Sequence, residues 1–329
     1  MIPSPGLWLA AIFAIAPAVP SAAPVPGSLD VQWNAGSADC TAHPQPPLQV
    51  HRYEAQTYIL RENPCATPEA PFIYLLVGSK RAMLVDTGDV ADPAAMPLAR
   101  TVLSLLPREG NARMPLLVVH THGHLDHRAG DPQFARLAGV ELVGSDLASV
   151  RAFFGFSDWP NGVAQVDLGE RIVDVIPAPG HHPSHVVFHD RRTALVLSGD
   201  FLLPGRLLID DIDADRASAR RVAQFVRDRP ISHVLGAHIE MDADGEILPW
   251  GSTHHPREHV LQLGKDALLA LPSALEGFNG FHARRGMFVI SNPMHILCAL
   301  GGAAILVLFA AGWWLRRYLR RRKAARHAR

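Results

Sequence analysis

Short runs of apolar residues alternate with polar turns through the middle of the chain. Residues 72–77 and 82–85 are apolar runs separated by a Gly-Ser-Lys turn, a pattern typical of buried strands. Residues 217–227 have the spacing of an amphipathic helix. Alternating strands and helices without an internal repeat predict a layered α/β domain over residues 51–271. Further strands are predicted at 115–119, 140–143, 163–166, 171–176, 185–188, 194–197 and 233–235, and further helices at 93–106, 146–154 and 258–271.

A longer apolar stretch lies near the C-terminus. Residues 294–315 run for 22 positions without Asp, Glu, Lys or Arg, which is long enough to cross a bilayer as a helix. Trp313 and Trp314 stand at its end, where indole rings favour the membrane interface. Residues 316–329 contain eight Lys or Arg and no acid, so the positive-inside rule predicts a cytoplasmic tail. Residues 272–293 are interpreted as a tether between the domain and this helix.

The N-terminal segment has the pattern of an export signal. Residues 7–19 are apolar and have the length of a signal-peptide core, and residues 21–23 are small. Residues 1–23 are therefore predicted to be a signal peptide, with a short uncleaved apolar anchor as the alternative. Residues 24–50 are rich in Pro, Ala, Gly and Ser and are predicted to be a linker. Together with the C-terminal helix, this predicts a membrane-anchored domain in the periplasm.

Three cysteines fit an exported domain. Cys298 lies inside the predicted membrane helix, whereas Cys40 and Cys65 lie in the part that is predicted to be exported. An oxidising compartment permits a disulfide between Cys40 and Cys65. Sequence alone does not show that the two sulfurs meet, so the pairing stays open at this point.

The charge balance changes when the tail is set aside. The chain has 31 basic and 31 acidic residues, but eight of the basic ones lie in residues 316–329. The remainder has 23 basic against 31 acidic residues. Nucleic-acid-binding proteins usually present a basic face. The acidic body therefore argues against a nucleic-acid partner.

Residues 122–127, HGHLDH, are the densest group of chemically active side chains. They place three imidazoles and one carboxylate directly after the strand predicted at 115–119. Imidazole nitrogen and carboxylate oxygen are ligands that suit Zn²⁺. A strand fixes the backbone, and the turn after it can direct several side chains into one pocket. The segment therefore predicts part of a metal site.

Four further polar residues each follow a predicted strand. Asp86, His181, Asp200 and His238 stand in the short sequences DTG, PGH, SGD and GAH. Side chains at the C-terminal ends of separate strands can converge. These residues are therefore candidates to complete the site that begins in HGHLDH.

In this order, the motifs resemble the metallo-β-lactamase superfamily of hydrolases over residues 72–238. The resemblance implies an αββα sandwich with a two-metal site in a shallow groove at one edge. It also implies that Asp86 orients the ligand loop and that His185 helps to hold the ligand turn. Asp126 is the candidate catalytic residue, which would orient the attacking hydroxide or assist proton transfer. The implied ligands are His122, His124 and His181 for one ion, Asp126, His127 and His238 for the other, and Asp200 as a bridge.

Two zinc ions are the cofactors expected from this resemblance. Family members that bind two irons commonly carry Glu where this chain has His124, and nitrogen there favours zinc. Manganese and iron remain open as alternatives. Zinc lowers the pKa of a bound water from about 15.7 to about 7, which makes hydroxide available at neutral pH. The expected reaction is hydrolysis of a small-molecule substrate.

Asp200 separates the branches of this superfamily. True β-lactamases lack a bridging Asp at that position, so the chain looks more like the glyoxalase II, lactonase and phosphodiesterase branches. The expected substrate is an ester, lactone, thioester or phosphodiester, with a carboxylic ester or lactone preferred. Hydrolysis of a β-lactam-type amide and a non-catalytic, membrane-tethered metal-binding module are the alternatives. The sequence does not indicate the oligomeric state. Phe153, Phe154, Phe156 and Trp159 predict either the wall of an apolar groove or ordinary packing.

Overall fold

The computed structural model describes residues 23–327, with side chains described through residue 318 and at residue 320. The predicted signal peptide at residues 1–23 lies outside the described residues, except for its last position. The strands are β1 Leu48–Glu54, β2 Thr57–Glu62, β3 Phe72–Val77, β4 Ala82–Val85, β5 Arg108–Glu109, β6 Ala112–Arg113, β7 Leu116–Val119, β8 Val140–Leu142, β9 Ala164–Asp167, β10 Ile172–Pro177, β11 Val186–Asp190, β12 Leu195–Gly199, β13 Arg206–Leu208, β14 His233–Gly236, β15 Gln262–Leu263, β16 His282–Arg285 and β17 Phe288–Ser291. The helices are α1 Leu98–Leu105, α2 Leu147–Phe154, α3 Ile212–Val226, α4 Lys265–Glu276 and α5 Pro293–His327, with 3₁₀ turns at Leu125–His127 and Asp131–Gln133.

Two six-stranded sheets pack face to face. One has the strand order β1-β2-β3-β4-β7-β8, and the other has the order β15-β14-β12-β11-β10-β9. Side chains alternate between the two faces of a strand. Phe72, Tyr74 and Leu76 of β3 therefore belong to the core between the sheets, whereas Ile73 and Leu75 belong to a second cluster that includes α1. The strand is buried on both faces because α1 covers the outer one.

Helices α3 and α4 cover the outer face of the second sheet. Their apolar sides form one cluster with Val187 and Val196 of that sheet. The neighbouring Phe188 and Leu197 point the other way, into the core between the sheets. The layers thus follow the order helix, sheet, sheet, helix. The predicted α/β class with an αββα arrangement is confirmed.

The structure corrects the predicted tether at residues 272–293, whose first part belongs to a helix. The helix predicted at 258–271 is shifted: α4 starts at Lys265 and continues through Pro272. Leu268, Leu271 and Leu275 are buried on either side of the proline, against the outer cluster. A proline inside a helix costs about 3 kcal/mol, and burial of this apolar side offsets that cost. The apolar spacing therefore decides where the helix ends, and the proline does not.

The rest of the predicted tether forms β16 and β17, which join β13 in a three-stranded sheet. Phe288 and Ile290 of β17 are buried with Leu207 of β13 in the outer cluster. β16 reads His-Ala-Arg-Arg and is mostly exposed. It has no apolar alternation, so the sequence pattern does not predict a strand there. Residues 272–293 are consequently part of the folded domain, and α5 follows directly.

The predicted linker at residues 24–50 is also packed against the domain. β1 already begins at Leu48, three residues before the predicted boundary. Leu29 and Trp33 pack against the core between the sheets. The ring of Trp33 lies edge-on to that of Phe72, with centroids 4.9 Å apart. Two apolar side chains in a segment poor in aliphatics therefore help to hold it on the sandwich.

A disulfide joins Cys40 in this segment to Cys65 after β2, with Cα atoms 5.5 Å apart. Cys298 is a free, exposed cysteine on α5. The bond closes a loop across 25 residues of sequence separation. It fixes the N-terminal segment to the first sheet.

Helix α5 projects from the domain. The stretch Pro293–Tyr318 has 26 residues, and its apolar window of 18 residues has a mean hydropathy of 2.3 and no residue buried in the protein. Its length and composition are sufficient to cross a bilayer. It begins two residues after β17, so the domain leaves little free chain between itself and this helix.

Candidate metal centre

The residues of the five motifs meet at one edge of the sandwich. β4 and β7 are parallel neighbours in one sheet, and β12 and β14 are parallel neighbours in the other. Asp86, Asp200 and His238 follow β4, β12 and β14, and residues 122–127 follow β7. His181 follows β10, which is antiparallel to β11 and so runs in the same direction as β12. Strands that run in the same direction end at the same edge of a sheet, so the polar side chains that follow them lie close together.

Three imidazoles form the first ligand group. The Nε2 atom of His122 lies 2.9 Å from Nδ1 of His124 and 3.2 Å from Nε2 of His181. The third side of this triangle, from His124 Nδ1 to His181 Nε2, is 3.0 Å. Nitrogen ligands of a tetrahedral zinc ion, at about 2.0–2.1 Å from the metal, lie about 3.3 Å apart. The spacing fits one metal ion.

The electrostatics of these imidazoles also fit a cation. Burial of His122 lowers the pKa of its ring well below the usual range, and the neighbouring histidines lower it further. Burial lowers the pKa of His124 in the same direction. Both rings are therefore neutral at neutral pH, and their lone pairs can point at one another. A shared cation relieves that repulsion.

Two histidines and two carboxylates form the second group. Asp126 Oδ2 lies 3.4 Å from His127 Nε2 and 3.3 Å from His238 Nε2. Burial opposes protonation of His238, but Asp200 and Asp126 outweigh it and raise the pKa of His238 to about 10. The carboxylates thus create a strongly negative site. The same potential that attracts a proton attracts a divalent cation.

Asp200 lies between the two groups. Its Oδ2 atom is 3.6 Å from Nε2 of His181 in the first group. Its Oδ1 atom is 3.5 Å from Nε2 of His127 and 3.6 Å from Nε2 of His238 in the second. Oδ1 is buried and has no hydrogen-bond partner among the described residues. A buried carboxylate oxygen without a donor is costly, and a cation on each side would compensate it.

Backbone carbonyls fix the orientation of two ligands. His181 Nδ1 donates a hydrogen bond to the Leu208 carbonyl at 2.7 Å, and His238 Nδ1 donates one to the Glu69 carbonyl at 2.8 Å. When Nδ1 carries the proton, Nε2 keeps its lone pair and faces the centre. The sequence did not predict these contacts because a backbone acceptor carries no residue-type signal.

Asp86 lies behind the ligand turn, as the sequence indicated. Its carboxylate accepts hydrogen bonds from the Thr121 amide at 2.7 Å and the Thr121 hydroxyl at 2.9 Å. It also accepts one from His127 Nδ1 at 3.0 Å. Its backbone has φ = 69°, an unusual conformation for a residue other than glycine. Such strain persists only where surrounding contacts enforce it. Here those contacts are the hydrogen bonds to Thr121 and His127, and the second of them orients the His127 ring.

His185 supports the site by stacking. Its ring lies 5.0 Å from the ring of His122 at an angle of 20°. Both ring nitrogens are buried and lack a hydrogen-bond partner among the described residues. Burial lowers the pKa of His185 well below its usual range, so the ring is neutral. It packs against the ring of His122 and belongs to neither ligand group.

A cavity of about 380 Å³ opens over the two groups. Leu125 and Trp250 on its wall are exposed over 60% and 64% of their surface. Arg206, also on the wall, pairs with Glu240 at 3.2 Å and lies over the Trp250 ring. The sequence carried no signal for Trp250, which lies in an irregular loop.

The aromatic group that the sequence offered as a groove wall lies elsewhere. Phe154, Phe156 and Trp159 pack against the core between the sheets. Phe153 is exposed and stacks edge-on against Phe154. None of the four lines the cavity over the ligand groups. The packing interpretation is the one that the structure supports.

The comparison with known families matches the part of the chain that carries these ligands. The model of a family described as the metallo-beta-lactamase superfamily matches residues 66–238, more than half of the 329 residues. The chain belongs to the metallo-beta-lactamase superfamily. The matched range contains both ligand groups, and the resemblance inferred from the motifs is confirmed.

Curated members of the superfamily are similar to part of this chain. The hydroxyacylglutathione hydrolase of Anaeromyxobacter dehalogenans is 33% identical over 133 residues, which cover 40% of this chain and 46% of that protein. The acyl-coenzyme A thioesterase MBLAC2 of Gallus gallus is 26% identical over 201 residues, or 51% of this chain and 72% of that protein. The chain thus spans less than half of the first relative. Superfamily membership and these names confirm the expected enzyme class, a hydrolase.

Solved structures of the superfamily are also similar. A metallo-beta-lactamase from Pontibacter korlensis has a TM-score of 0.48 and 17% identity, covering 70% of this chain and all of that chain. A metallo-beta-lactamase from Hirschia baltica has a TM-score of 0.44 and 16% identity, covering 59% and 91% of the two chains.

Proposed function

We propose that this protein is a dinuclear zinc hydrolase that cleaves an acyl ester or thioester. The observation that carries the proposal is the position of Asp200, whose two carboxylate oxygens reach one ligand group each. His122, His124 and His181 would hold one ion, and Asp126, His127 and His238 the other. Bound divalent ions would lower the pKa of the attacking water and polarise the substrate carbonyl.

The names of the relatives favour an open-chain acyl ester or thioester, whereas the sequence alone favours a carboxylic ester or lactone. Relatives of both kinds are named for hydrolysis of acyl conjugates, of glutathione in one case and of coenzyme A in the other. The cavity of about 380 Å³ can admit an acyl group beside Leu125 and Trp250. An ester and a thioester present the same carbonyl to the ligand groups, so both stay within the proposal.

Asp126 is the proposed catalytic carboxylate. It lines the cavity, and its side chain keeps 22% of its surface exposed while the histidines around it are buried. His127 and His238 hold one of its oxygens at 3.4 and 3.3 Å. A carboxylate so oriented can accept a proton from the attacking water and pass it to the leaving oxygen or sulfur.

We also propose that residues 294–315 cross a membrane, with residues 316–329 on the cytoplasmic side and the hydrolase domain in the periplasm. The cationic tail after an apolar helix supports this orientation. The disulfide between Cys40 and Cys65 agrees with an oxidising compartment. A reporter enzyme that works only in the cytoplasm is expected to be active when it is fused after Arg329. A reporter that is active only in the periplasm would contradict the orientation.

A metal and substrate screen tests the activity. The full chain, purified in detergent and loaded with zinc, manganese or iron, is assayed on 4-nitrophenyl acetate, an acyl thioester, a lactone and a β-lactam. We expect zinc-dependent hydrolysis of the ester and thioester, and a loss of at least about 100-fold in Asp126→Ala. Asp228→Ala, which alters an exposed aspartate after α3, is the matched control and should keep full activity. Turnover that is absent with every metal, or that survives in Asp126→Ala, would contradict the proposal.

A further inference from the structure

A short path of hydrogen bonds connects the ligand loop to the start of α5. The Gly180 carbonyl, next to His181, accepts hydrogen bonds from the amides of Asp210 at 3.0 Å and Asp211 at 2.8 Å. The buried Asn292 side chain then donates to the Asp210 carbonyl at 3.4 Å. The side-chain oxygen of Asn292 accepts a hydrogen bond from the amide of His295, in the first turn of α5, at 2.8 Å. The ligand loop is therefore connected to the helix through the buried side chain of Asn292.

Strand pairing shows how short this connection is. His181 Nδ1 donates to the carbonyl of Leu208, and Leu208 of β13 pairs with Ser291 of β17. Ser291 is two residues from Pro293, where α5 begins. Paired strands lie about 4.8 Å apart and rise about 3.3 Å per residue, so the ligand lies roughly 15 Å from the start of the helix. A membrane that holds α5 would hold the metal centre close to its surface.

The part of the domain beside α5 exposes apolar and basic side chains together. Phe281 and Met287, which flank β16, are exposed over 44% and 38% of their surface. Arg285 between them is also exposed, as is Arg284, which pairs with Glu246 at 3.2 Å. The ring of Phe281 lies 6.0 Å from that of His295 on α5. Aromatic and cationic side chains of this kind suit the headgroup zone of a bilayer.

The cavity itself does not favour an anionic carrier. Besides the ligands, its described lining contains the carboxylates of Glu69, Asp89 and Glu240. Arg206 is the one Arg or Lys among these lining residues, and its guanidinium is already paired with Glu240. Away from the two proposed ions, a polyanionic leaving group would meet these carboxylates, and the lining offers no unpaired Arg or Lys to bind it. Leu125 and Trp250 offer apolar surface instead.

We propose that the cavity draws its substrate from the bilayer that holds α5, and that this substrate is a long-chain acyl ester with an uncharged alcohol. The proposal rests on the hydrolase function and membrane span proposed above. In the reaction, the oxygen of water bonds to the acyl carbon and the bond to the alcohol oxygen breaks. One proton of the water passes to the alcohol oxygen, the other is released to solvent, and the fatty acid leaves as its carboxylate.

Reconstituted vesicles test this inference with the full chain. The zinc-loaded protein is placed in phosphatidylcholine vesicles, with dioleoylglycerol either in the same vesicles or in separate ones, and oleate release is measured. Confinement to one bilayer raises the effective concentration, so we expect hydrolysis in the same vesicles to be faster by about tenfold or more. Oleoyl-coenzyme A, which carries the same chain on a polyanion, should be the poorer substrate.

Two variants probe the surface beside α5. Phe281→Asp should slow the hydrolysis of dioleoylglycerol in the same vesicles several-fold and leave that of soluble 4-nitrophenyl acetate unchanged. Leu137→Asp, which alters an exposed leucine in the loop before β8, is the matched control and should change neither rate. Equal effects of the two substitutions would overturn the role of this surface.

The outcomes separate this inference from the proposed function. Hydrolysis of 4-nitrophenyl acetate without any advantage of shared vesicles, or with oleoyl-coenzyme A as the better long-chain substrate, overturns the membrane-substrate inference alone. Failure on every ester with zinc bound overturns the hydrolase function and this inference with it. Faster hydrolysis of dioleoylglycerol in shared vesicles, together with a selective decrease of that rate in Phe281→Asp, supports both the hydrolase function and the membrane-substrate inference.

Discussion

The Nδ1 atom of His127 lies 3.0 Å from a carboxylate oxygen of Asp86, and both side chains are buried. The hydrogen bond fixes the proton on Nδ1 and turns Nε2 toward Asp126 and Asp200. Asp86 does not contact the ligand atoms that would face a metal ion, since it bonds to Nδ1 of His127 and not to Nε2. With a metal bound, it would act by orienting His127, which is the usual contribution of a carboxylate behind a metal-binding histidine.

Replacing Asp86 should therefore disturb the second ligand group more than the first. Asp86→Ala is expected to lower metal content toward one ion per chain and to reduce kcat/KM by roughly 10- to 100-fold. Elemental analysis and an ester assay measure the two effects, with Asp228→Ala as the control. Full metal content in Asp86→Ala would show that His127 does not need this partner.

Arg171 forms a buried ion pair with Asp190 of the second sheet and also hydrogen-bonds to the first sheet, so loss of this arginine should destabilise the fold. Arg171 donates two hydrogen bonds to Asp190, at 2.9 and 2.7 Å, and further ones to Thr57 and to the carbonyls of Gln56 and Val77. Arg171→Met leaves a buried carboxylate without its cation and should lower the free energy of unfolding by about 3–5 kcal/mol. Urea denaturation followed by tryptophan fluorescence measures this. Adding Asp190→Leu should restore part of the loss, and a single variant as stable as the parent would refute the role of the pair.

The pH dependence of stability should contain a contribution from Asp174. Burial opposes ionisation of this carboxyl, but hydrogen bonds from His189 and Arg191 outweigh it and lower its pKa to about 2. The unfolded value is about 3.9. Because the folded pKa is the lower one, the stabilisation is complete above about pH 4 and is lost as the pH falls toward 2.

Asp174→Asn directly tests the direction of this pH dependence of stability. The difference in unfolding free energy between the parent and the variant should be largest above about pH 4 and should shrink as the pH falls toward about 2. Acid-range urea denaturation of both proteins supplies the difference. A difference that stays constant from pH 5 to pH 2 would mean that the ionised carboxylate contributes nothing.

Reduction of the disulfide should weaken the fold without altering the ligand groups. Cys40 and Cys65 close a loop with a sequence separation of 25, for which the chain-entropy estimate is about 3 kcal/mol. Cys65→Ser is expected to lose stability of this order in chemical denaturation, while Cys298→Ser should lose none. A Cys65→Ser variant with unchanged stability would show that Leu29 and Trp33 alone hold the segment.

The ligand positions could be predicted because each one stands at a strand end within a recognisable short sequence. The strands themselves are continuous apolar runs such as Phe72–Val77, which can be recognised from the sequence alone. Other features depended on contacts distant in sequence. The pairing of Leu208 with Ser291 brings β13 and β17 together, and β16 has no apolar alternation. The sequence pattern predicts that the helix ends before Pro272, although burial of its neighbours carries α4 past this residue.

The cavity wall was the least predictable part of the site. Trp250 lies in an irregular loop and reaches the cavity because Arg206 lies over its ring. Arg206 in turn is held by Glu240 and by the carbonyl of Leu248. Residue types in a loop do not reveal such a chain of contacts, whereas ligand motifs reveal their chemistry directly.

Metal content tests the central claim most directly, since every functional statement depends on two ions sharing Asp200. The purified full chain, loaded with zinc and freed of excess metal, should hold about two zinc ions by elemental mass spectrometry. Asp200→Ala should hold fewer, while Asp228→Ala should match the parent. A parent protein that binds no more than one ion, or an Asp200→Ala variant that keeps both, would contradict the dinuclear site.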